Sequence, residues 1–179
     1  MQIKPYTDNL IFFDTEFSSL DPYKGEVLSI GMVKMNGEEL YLEVECKEEP
    51  SEWVKENVVP LLTQPKVSRE EATKKIIEFA GKENSYLVSY VIEFDAPFLY
   101  KLIGVTQKKG NREFPYHWII LDFASMLFSI GKNPGSFASK DKNAMVKELG
   151  IDMSKYKEHH ALDDAKMLKE AYLKLISEG

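Results

Sequence analysis

Two acidic side chains, Asp14 and Glu16, stand two residues apart directly after the apolar run from Leu10 to Phe13. Residues at i and i+2 of a β-strand point to the same face, so these carboxylates are expected about 6–7 Å apart along the backbone. Two carboxylates placed side by side next to a core repel each other unless a cation lies between them. The alternative is that the strand ends at Phe13 and releases both acids to solvent. Taken alone, the pair leaves both interpretations open.

Asp95 is the second acidic candidate. It follows a predicted strand over residues 86–92 by three positions and stands at the expected start of a helix, with Pro97 in the first turn. Aspartate is a favoured helix N-cap residue, and capping alone would account for it. In open α/β sheets, however, ligands bind at the carboxyl ends of strands. The two roles are compatible, so Asp95 stays a candidate ligand.

The third candidate segment runs from Glu158 to Ala165, contains two histidines and two aspartates, and leads into the last predicted helix. At about 100° per residue, Asp164 lies within roughly 40° of Leu168 on the apolar stripe, whereas Asp163 is rotated about 140° away. Asp164 is therefore predicted to face the sheet and Asp163 to face water. The alternative is that both aspartates only supply the negative charge favoured at a helix N-terminus, and that the histidines are ordinary loop residues.

Three distant segments thus each bring a carboxylate to a strand end or a helix start, and a histidine accompanies the last. A site with several carboxylates and no thiols suits hard divalent cations such as Mg²⁺ or Mn²⁺. Two such ions, about 3.5–4 Å apart, stabilise the attacking and leaving oxygens of phosphodiester hydrolysis. Histidine, with an ordinary pKa of about 6.5, is suited to take the proton from the attacking water. The combined pattern favours phosphodiester hydrolysis at a two-metal site.

Hydrophobic periodicity predicts the elements that must position these residues. Three strands come first, and Asn36-Gly37 predicts a hairpin that makes the second and third antiparallel neighbours. Helices and strands then alternate, beginning with a helix that Ser68 and Glu71 open as a capping box. The predicted strands cover residues 10–13 leading into 14–17, 27–35, 40–46, 86–92 and 116–121. Helices are predicted near residues 68–81, from 95 onward, 122–130, 141–149 and 161–176, with a helical turn between 53 and 62. This order predicts an α/β sandwich around a mixed sheet, one domain over residues 1–179.

The composition is that of a folded domain, since 44% of the 179 residues are apolar and the net charge is −6. A single cysteine, Cys46, excludes an intrachain disulfide and a multi-cysteine zinc cluster, and we assign it to strand packing. The amino terminus lacks an apolar signal core, and no apolar run is long enough to span a bilayer. We therefore expect a cytoplasmic protein with no membrane partner.

The three acidic segments together resemble the DEDDh 3′–5′ exonucleases of the ribonuclease H-like superfamily, from about Leu10 to Leu175. The matching motifs are Phe13-Asp14-Thr15-Glu16-Phe17-Ser18-Ser19-Leu20-Asp21-Pro22, Phe94-Asp95-Ala96-Pro97-Phe98-Leu99 and His159-His160-Ala161-Leu162-Asp163-Asp164-Ala165. In this family a histidine precedes the metal-binding aspartate by five positions, which pairs His159 with Asp164 and excludes His160 as the general base. The resemblance implies a ribonuclease H-like fold, in which a central mixed sheet of three antiparallel and then parallel strands is flanked by helices.

The resemblance also implies a role for each matching acidic residue. Asp14 would bridge two divalent metal ions, Mg²⁺ or Mn²⁺. Glu16 and Asp164 would serve the metal on the side of the nucleophile, and Asp95 would hold the other, partly through water. His159 would activate the water.

Members of this family remove single nucleotides from the free 3′ end of single-stranded RNA or DNA and release nucleoside 5′-monophosphates. Residues of the first two motifs would therefore contact the substrate, and Leu20 matches a position that in relatives wedges against the terminal bases. The expected substrate-binding residues are Thr15, Phe17, Ser18, Leu20 and Phe98.

Two stretches further resemble the bacterial ribonuclease AS subgroup, whose members are exoribonucleases with a preference for adenylate-rich RNA. These are Asp-Thr-Glu-Phe at residues 14–17 and Trp-Val-Lys-Glu-Asn-Val-Val-Pro at residues 53–60. They favour RNA as the substrate and a role in RNA processing. The chain departs from the wider family at residues 17–19, where relatives commonly have Thr-Thr-Gly, and at Tyr90-Val91, where many have His-Asn. Both departures bear on contacts to the terminal sugar.

Three functions stay open from the sequence: a metal-dependent 3′–5′ exonuclease that favours RNA, a DNA-proofreading exonuclease, and a catalytically silent nucleic-acid-binding or assembly module of the same fold. Relatives are often dimers, so a homodimer is one expected assembly.

Residues 101–147 carry eight bases and three acids, and Lys108, Lys109 and Arg112 are expected to contact phosphates of the substrate. Trp53 and Trp118 either stack on bases or, as we prefer, fill the core or an interface.

Overall fold

The computed structural model describes residues 4–104, 114–137, 146 and 148–177. Its strands are β1 (Leu10–Phe17), β2 (Val27–Lys34), β3 (Glu39–Glu43), β4 (Tyr86–Ser89) and β5 (Leu121–Asp122). Its helices are α1 (Glu52–Asn57), α2 (Arg69–Ala80), α3 (Ile92–Ile103), α4 (Phe123–Ser129) and α5 (Ala161–Ser177). Single 3₁₀ turns lie at Val59–Leu61, Pro134–Phe137 and Met153–Lys155.

The five strands form one mixed sheet in the order β3-β2-β1-β4-β5. β2 pairs antiparallel with both β1 and β3, whereas β4 pairs parallel with β1 and with β5. The hairpin between β2 and β3 turns at Asn36-Gly37, where Gly37 has a φ of 93°, a value that glycine adopts without steric cost. The predicted mixed sheet of three antiparallel strands followed by parallel strands is confirmed.

Helices cover both faces of the sheet, and the alternation of side chains along β1 divides the core between them. Ile11 and Phe13 belong to a cluster shared with α2 and α3. Leu10 and Phe12 belong to a second cluster shared with α4 and α5. Because Phe12 and Phe13 are both fully buried, β1 is fixed on both faces. The carboxyl end of this strand is therefore a rigid support for the acidic residues that follow.

Three predicted strands are wrong in extent. The strand expected over residues 40–46 ends at Glu43, so Cys46 lies beyond β3 and not in a strand. The strand expected over residues 86–92 ends at Ser89, because Val91 adopts a left-handed conformation and α3 begins at Ile92. The strand expected over residues 116–121 is reduced to β5, although Tyr116 and Ile120 are buried. An apolar run can thus enter a core without pairing in the sheet. The helix expected near residues 141–149 lies mainly outside the described residues.

Val91 is held in a strained backbone conformation, with φ 60° and ψ 69°. A β-branched residue is rare in this region, whereas Asn and Gly enter it readily. The Val91 N–H donates to Asp122 Oδ1 at 3.0 Å, which helps to hold the turn. We expect Val91→Asn to increase the free energy of unfolding by about 1 kcal/mol, or about 2–4 °C in Tm for a chain of this size. Thermal melts followed by circular dichroism test this, with Val91→Ile as the control that keeps the strain. Equal melting of Val91→Asn and the parent would contradict it.

Candidate active site

Asp14 and Glu16 lie on β1, which continues to Phe17 and does not end at Phe13. Both side chains point to the face of the sheet that packs against α5, because they are two residues apart in one strand. The pairing of β1 with β2 shifts register between Glu16 and Phe17, an irregularity that bends a strand and ends its regular pairing. The two carboxylates are half-buried at the edge of the core and are not released to solvent.

The start of α5 adds a third carboxylate to this pair. Ligand oxygens of Asp14, Glu16 and Asp164 all lie within 4.8 Å of one another. Asp164 is brought there by the apolar face of α5, where Leu168 and Ala171 are buried against the sheet. Three carboxylates this close raise one another's free energy when charged, and a divalent cation among them relieves the repulsion. Helical periodicity predicts that Asp164 faces the sheet, and the structure places Asp164 next to the carboxylates of β1.

Asp95 lines the same cavity but is not a member of the three-carboxylate group. It lies in the first turn of α3, so the N-cap interpretation is wrong. Its Oδ1 accepts the Thr15 N–H at 2.9 Å and the Thr15 hydroxyl at 2.7 Å. Burial raises the pKa of Asp95 to about 7, the hydrogen bonds from Thr15 oppose this rise, and the charge of Asp164 adds to it. Asp95 is therefore a carboxyl group that exchanges a proton near neutral pH.

The raised pKa of Asp95 predicts how the stability of the metal-free protein depends on pH. The pKa of Asp95 in the folded protein, about 7, lies above its ordinary value of 3.8. The proton on Asp95 therefore stabilises the fold fully at a pH below 3.8, and this stabilisation is lost as the pH rises to about 7. We expect the free energy of unfolding to fall over this interval. Asp95→Asn, which keeps an oxygen for Thr15, should remove most of the fall and melt above the parent at about pH 8.

Thermal melts in EDTA at about pH 5 and about pH 8 make this comparison. Each 1 kcal/mol corresponds to about 2–4 °C in Tm for a chain of this size. Thr73→Val serves as the control, because Thr73 is half-buried on α2 and does not line the cavity. The stability of this variant should depend on pH as that of the parent does. A decline with pH that is the same in Asp95→Asn and the parent would show that Asp95 does not titrate as described.

His159 stands in the loop that leads into α5 and lines the cavity. Its backbone has a φ of 61°, a conformation that histidine adopts more readily than most residues. The imidazole packs edge-on against the Trp53 ring, with 5.0 Å between ring centroids and an interplanar angle of 88°. His160 is not among the cavity-lining residues and stacks on Tyr41, with 4.5 Å between ring centroids. The structure thus places His159, and not His160, in the wall of the cavity that the carboxylates line.

Asp163 has a different environment from the one predicted. Its side chain is 25% exposed and its Oδ2 accepts the Lys157 N–H at 3.1 Å, so it does not simply face water. This bond spans the loop that contains His159 and joins its beginning to the first turn of α5. Asp163 therefore stabilises the loop conformation that brings His159 to the cavity.

The cavity has a volume of about 390 Å³ and is bounded by apolar and aromatic side chains around the acidic group. Of the expected substrate-binding residues, Thr15, Phe17 and Leu20 line it. Further lining residues are Trp53, Tyr90, Val91, Phe94, Met167 and Leu168. Met167 is three positions after Asp164 on α5 and so lies on the same helix face. This spacing could have predicted that Met167 lines the cavity. Phe94 precedes Asp95 directly, but its position depends on where α3 begins.

Ser18 and Phe98 are not among the residues that line the cavity, and their contact with substrate stays a prediction. Ser18 is 1% exposed, and its hydroxyl oxygen accepts the Glu26 N–H at 3.0 Å. Phe98 is also 1% exposed and stacks on Phe17, with ring centroids 4.2 Å apart and an interplanar angle of 6°. Phe98 therefore supports the ring of Phe17 from within the core.

Neither tryptophan fills the core, so only the interface part of the preferred interpretation stays open. Trp53 is 54% exposed and Trp118 is 62% exposed, and Trp53 lines the cavity, where it contacts His159. The basic residues Lys108, Lys109 and Arg112 lie outside the described residues. Cys46 lies outside the cavity; its thiol donates to the Glu48 carbonyl and packs beside a small cluster around Val54.

The structure has a mixed five-stranded sheet with helices on both faces, and acidic residues from β1, α3 and α5 line one cavity. This architecture is that of the ribonuclease H-like exonucleases. The family model of the RNase T exonucleases matches residues 11–172. The chain belongs to this exonuclease family, within the DEDD superfamily.

Individual relatives agree with this assignment. DNA polymerase III PolC-type from Thermotoga maritima is 26% identical over 174 residues, which are 93% of this chain and 12% of the polymerase. The chain thus spans only a small part of that relative. Pop2p of S. pombe, in a form with bound Mg²⁺ and Mn²⁺, superposes with a TM-score of 0.72 at 11% identity, covering 94% of this chain and 83% of that one. Exonuclease I of E. coli, in a zinc-bound complex with single-stranded DNA, gives 0.71 at 15% identity, covering 94% and 40%. These superpositions show the fold.

Among the described residues, no helix is both long and apolar enough to cross a membrane.

Proposed function

We propose that the protein is a metal-dependent 3′–5′ exonuclease that hydrolyses single-stranded nucleic acid to nucleoside 5′-monophosphates. The observation that carries this proposal is the convergence of Asp14, Glu16 and Asp164 within 4.8 Å of one another, in a cavity that Asp95 and His159 also line. Membership of the exonuclease family agrees with it.

The donor atoms of this site suit hard divalent cations, and we propose that it holds two. The candidate ligands are all carboxylate oxygens, which suit Mg²⁺ or Mn²⁺ better than softer metals. Asp14 would contact both ions, Glu16 and Asp164 the one beside the attacking water, and Asp95 the other. When bound, these ions would polarise the phosphodiester and favour ionisation of the attacking water. Asp95 must give up its proton to serve as a ligand, so we expect metal binding to strengthen as the pH rises through about 7.

His159 is the proposed general base. A neutral imidazole at the cavity wall would accept the proton of the attacking water. Trp53 fixes the orientation of the ring through an edge-on contact, and Asp163 fixes the loop. Both contacts lower the entropic cost of orienting the imidazole, because the His159 side chain loses less conformational freedom when the substrate binds.

The walls of the cavity suit an unpaired terminal nucleotide. Leu20, Trp53 and Phe94 are 69%, 54% and 44% exposed, and their apolar surfaces provide a lining on which a nucleobase can pack. A base inside a duplex has no free face to offer, so single strands are the expected substrate. RNA is the substrate that the sequence favours. DNA is the second candidate, and it is supported by the PolC-type relatives and by the single-stranded DNA bound to exonuclease I.

Degradation of matched oligonucleotides tests the proposal. Single-stranded RNA and DNA of one sequence, labelled at the 5′ end, are incubated with the protein and Mg²⁺ or Mn²⁺, with 3′-phosphorylated strands as controls. We expect a ladder that shortens one nucleotide at a time from free 3′ ends, with RNA degraded faster. Faster loss of DNA would assign the protein to proofreading-type exonucleases. Binding without shortening of either strand would support the silent module and overturn the proposal.

A further inference from the structure

Asp14, Gly31 and Tyr41 form a row across the three antiparallel strands. Asp14 on β1 is the register partner of Gly31 on β2, and Gly31 is the partner of Tyr41 on β3. Residues directly opposite one another share a face of the sheet. All three positions of this cross-strand row therefore face the loop and helix start that contain His159 and Asp164.

Gly31 is where the start of α5 contacts the sheet backbone. A Cβ at this position would lie 2.2 Å from the Leu162 nitrogen and 2.3 Å from the Ala161 carbonyl carbon. Gly31 has no positive φ, so its backbone conformation does not require glycine. Glycine is required because there is no space for a Cβ atom. The opposing atoms belong to the backbone and cannot rotate away. The absence of a side chain at Gly31 thus sets how closely α5 approaches β2.

Tyr41 supports the same segment from the next strand. Its ring stacks on His160, and its hydroxyl donates to Glu43 Oε1 at 3.1 Å. The His160 carbonyl in turn accepts the N–H groups of Asp163 and Asp164 at 2.8 and 3.0 Å. A contact that fixes His160 therefore also fixes the first turn of α5.

Glu43 keeps Tyr41 in place. It is 1% exposed, and the oxygen that accepts the Tyr41 hydroxyl also accepts the backbone N–H groups of Thr63 and Gln64, at 2.7 and 2.9 Å. A carboxylate with three donors on one oxygen is tightly held. The Tyr41 ring is thus anchored through Glu43 to the backbone of residues 63 and 64, which do not line the cavity.

We propose that Gly31 and Tyr41 are positioning residues that set the distance between the two halves of the site. One half is Asp14 and Glu16 on β1, and the other is His159 and Asp164 at the start of α5. Neither residue is among those that line the cavity. The inference rests on the proposed function for its catalytic consequence, but its structural part concerns only where Asp164 lies relative to Asp14.

Gly31→Ala is the direct test of this inference. We expect kcat to fall by about 10²-fold, the cost of roughly 1 Å of misplacement, while KM changes little because the outer cavity wall is untouched. Gly135→Ala is the matched control, since a Cβ there meets its nearest neighbour at an ordinary 3.5 Å. Tyr41→Leu removes the ring from His160 and should lower kcat the most, whereas Tyr41→Phe keeps the ring, loses only the bond to Glu43 and should lower kcat less.

Mn²⁺ affinity, measured by titration of the protein with the metal alone, separates positioning from general destabilisation. We expect Gly31→Ala to weaken Mn²⁺ binding. We also expect Asp164→Asn to lower Mn²⁺ affinity much less in the Gly31→Ala protein than in the parent, because Asp164 is already displaced there. Additive losses would overturn the inference. If Gly31→Ala does not melt cooperatively, the same double-mutant comparison of Mn²⁺ affinity, made with Tyr41→Leu and Asp164→Asn, tests the inference.

The outcomes also distinguish this inference from the proposed function. A parent protein that binds Mn²⁺ but degrades no strand overturns the proposed function, while the Mn²⁺ cycle still tests the positioning. A parent that degrades strands, with Gly31→Ala equally active and equally tight for Mn²⁺, overturns the positioning alone. A parent that binds no Mn²⁺ overturns both.

Discussion

Replacement of Asp14 by Asn is expected to lower kcat for oligonucleotide hydrolysis by about 10³-fold or more. Asp14 belongs to the group of three converging carboxylates and is the proposed ligand of both ions. Bound metal contributes several kcal/mol of transition-state stabilisation, and each 1.4 kcal/mol corresponds to a tenfold change in rate. Asn has nearly the same size as Asp but no charge, so β1 keeps its packing and the loss concerns metal binding.

Initial rates on 5′-labelled single strands in Mg²⁺ and in Mn²⁺ measure this effect. Asp152→Asn is the control, because Asp152 is an exposed acid that caps a 3₁₀ turn outside the cavity. Circular dichroism should show that both variants are folded. An Asp14→Asn protein that degrades strands at the parental rate would exclude Asp14 from the catalytic site.

Replacement of His159 by Ala has the second largest expected effect, a loss of about 10²–10⁴-fold in kcat, the range typical of a general base. Because only the neutral imidazole accepts a proton, kcat/KM of the parent should rise with pH across the range in which histidine titrates. His159→Ala should lose that rise. Mn²⁺ affinity should change little, since the proposed ligands remain.

The pH profile of kcat/KM at saturating Mn²⁺ makes this test, because saturating metal suppresses the contribution of Asp95. His117→Ala is the matched control: His117 stacks on Tyr86 and is not among the cavity-lining residues. A His159→Ala enzyme with the parental rate and profile would assign the proton transfer to another group.

Much of the acidic site follows from two local periodicities. The period of two along a strand placed Asp14 and Glu16 on one face, and the period of 3.6 along a helix selected Asp164 over Asp163. Both predictions need only the backbone geometry of one element. The structure brings the three carboxylates together as these periods require.

Other features depend on contacts that local rules do not contain. Asp95 was expected at the start of α3, with capping as one interpretation. The helix begins earlier, at Ile92, after Val91 in a left-handed conformation that β-branched residues disfavour. Trp53 is exposed at the cavity because α1 packs there through Val54 on its other side. A glycine inside a strand indicates a close approach, yet the sequence does not identify α5 as the segment that approaches Gly31.

A crystal soaked with Mn²⁺ and a nucleoside 5′-monophosphate tests most directly whether the four acids hold a pair of ions. Anomalous scattering should reveal two peaks about 3.5–4 Å apart, with Asp14 coordinating both and Asp164 coordinating one. An empty cavity at saturating Mn²⁺, or a manganese ion held without Asp14 and Asp164, would contradict the account.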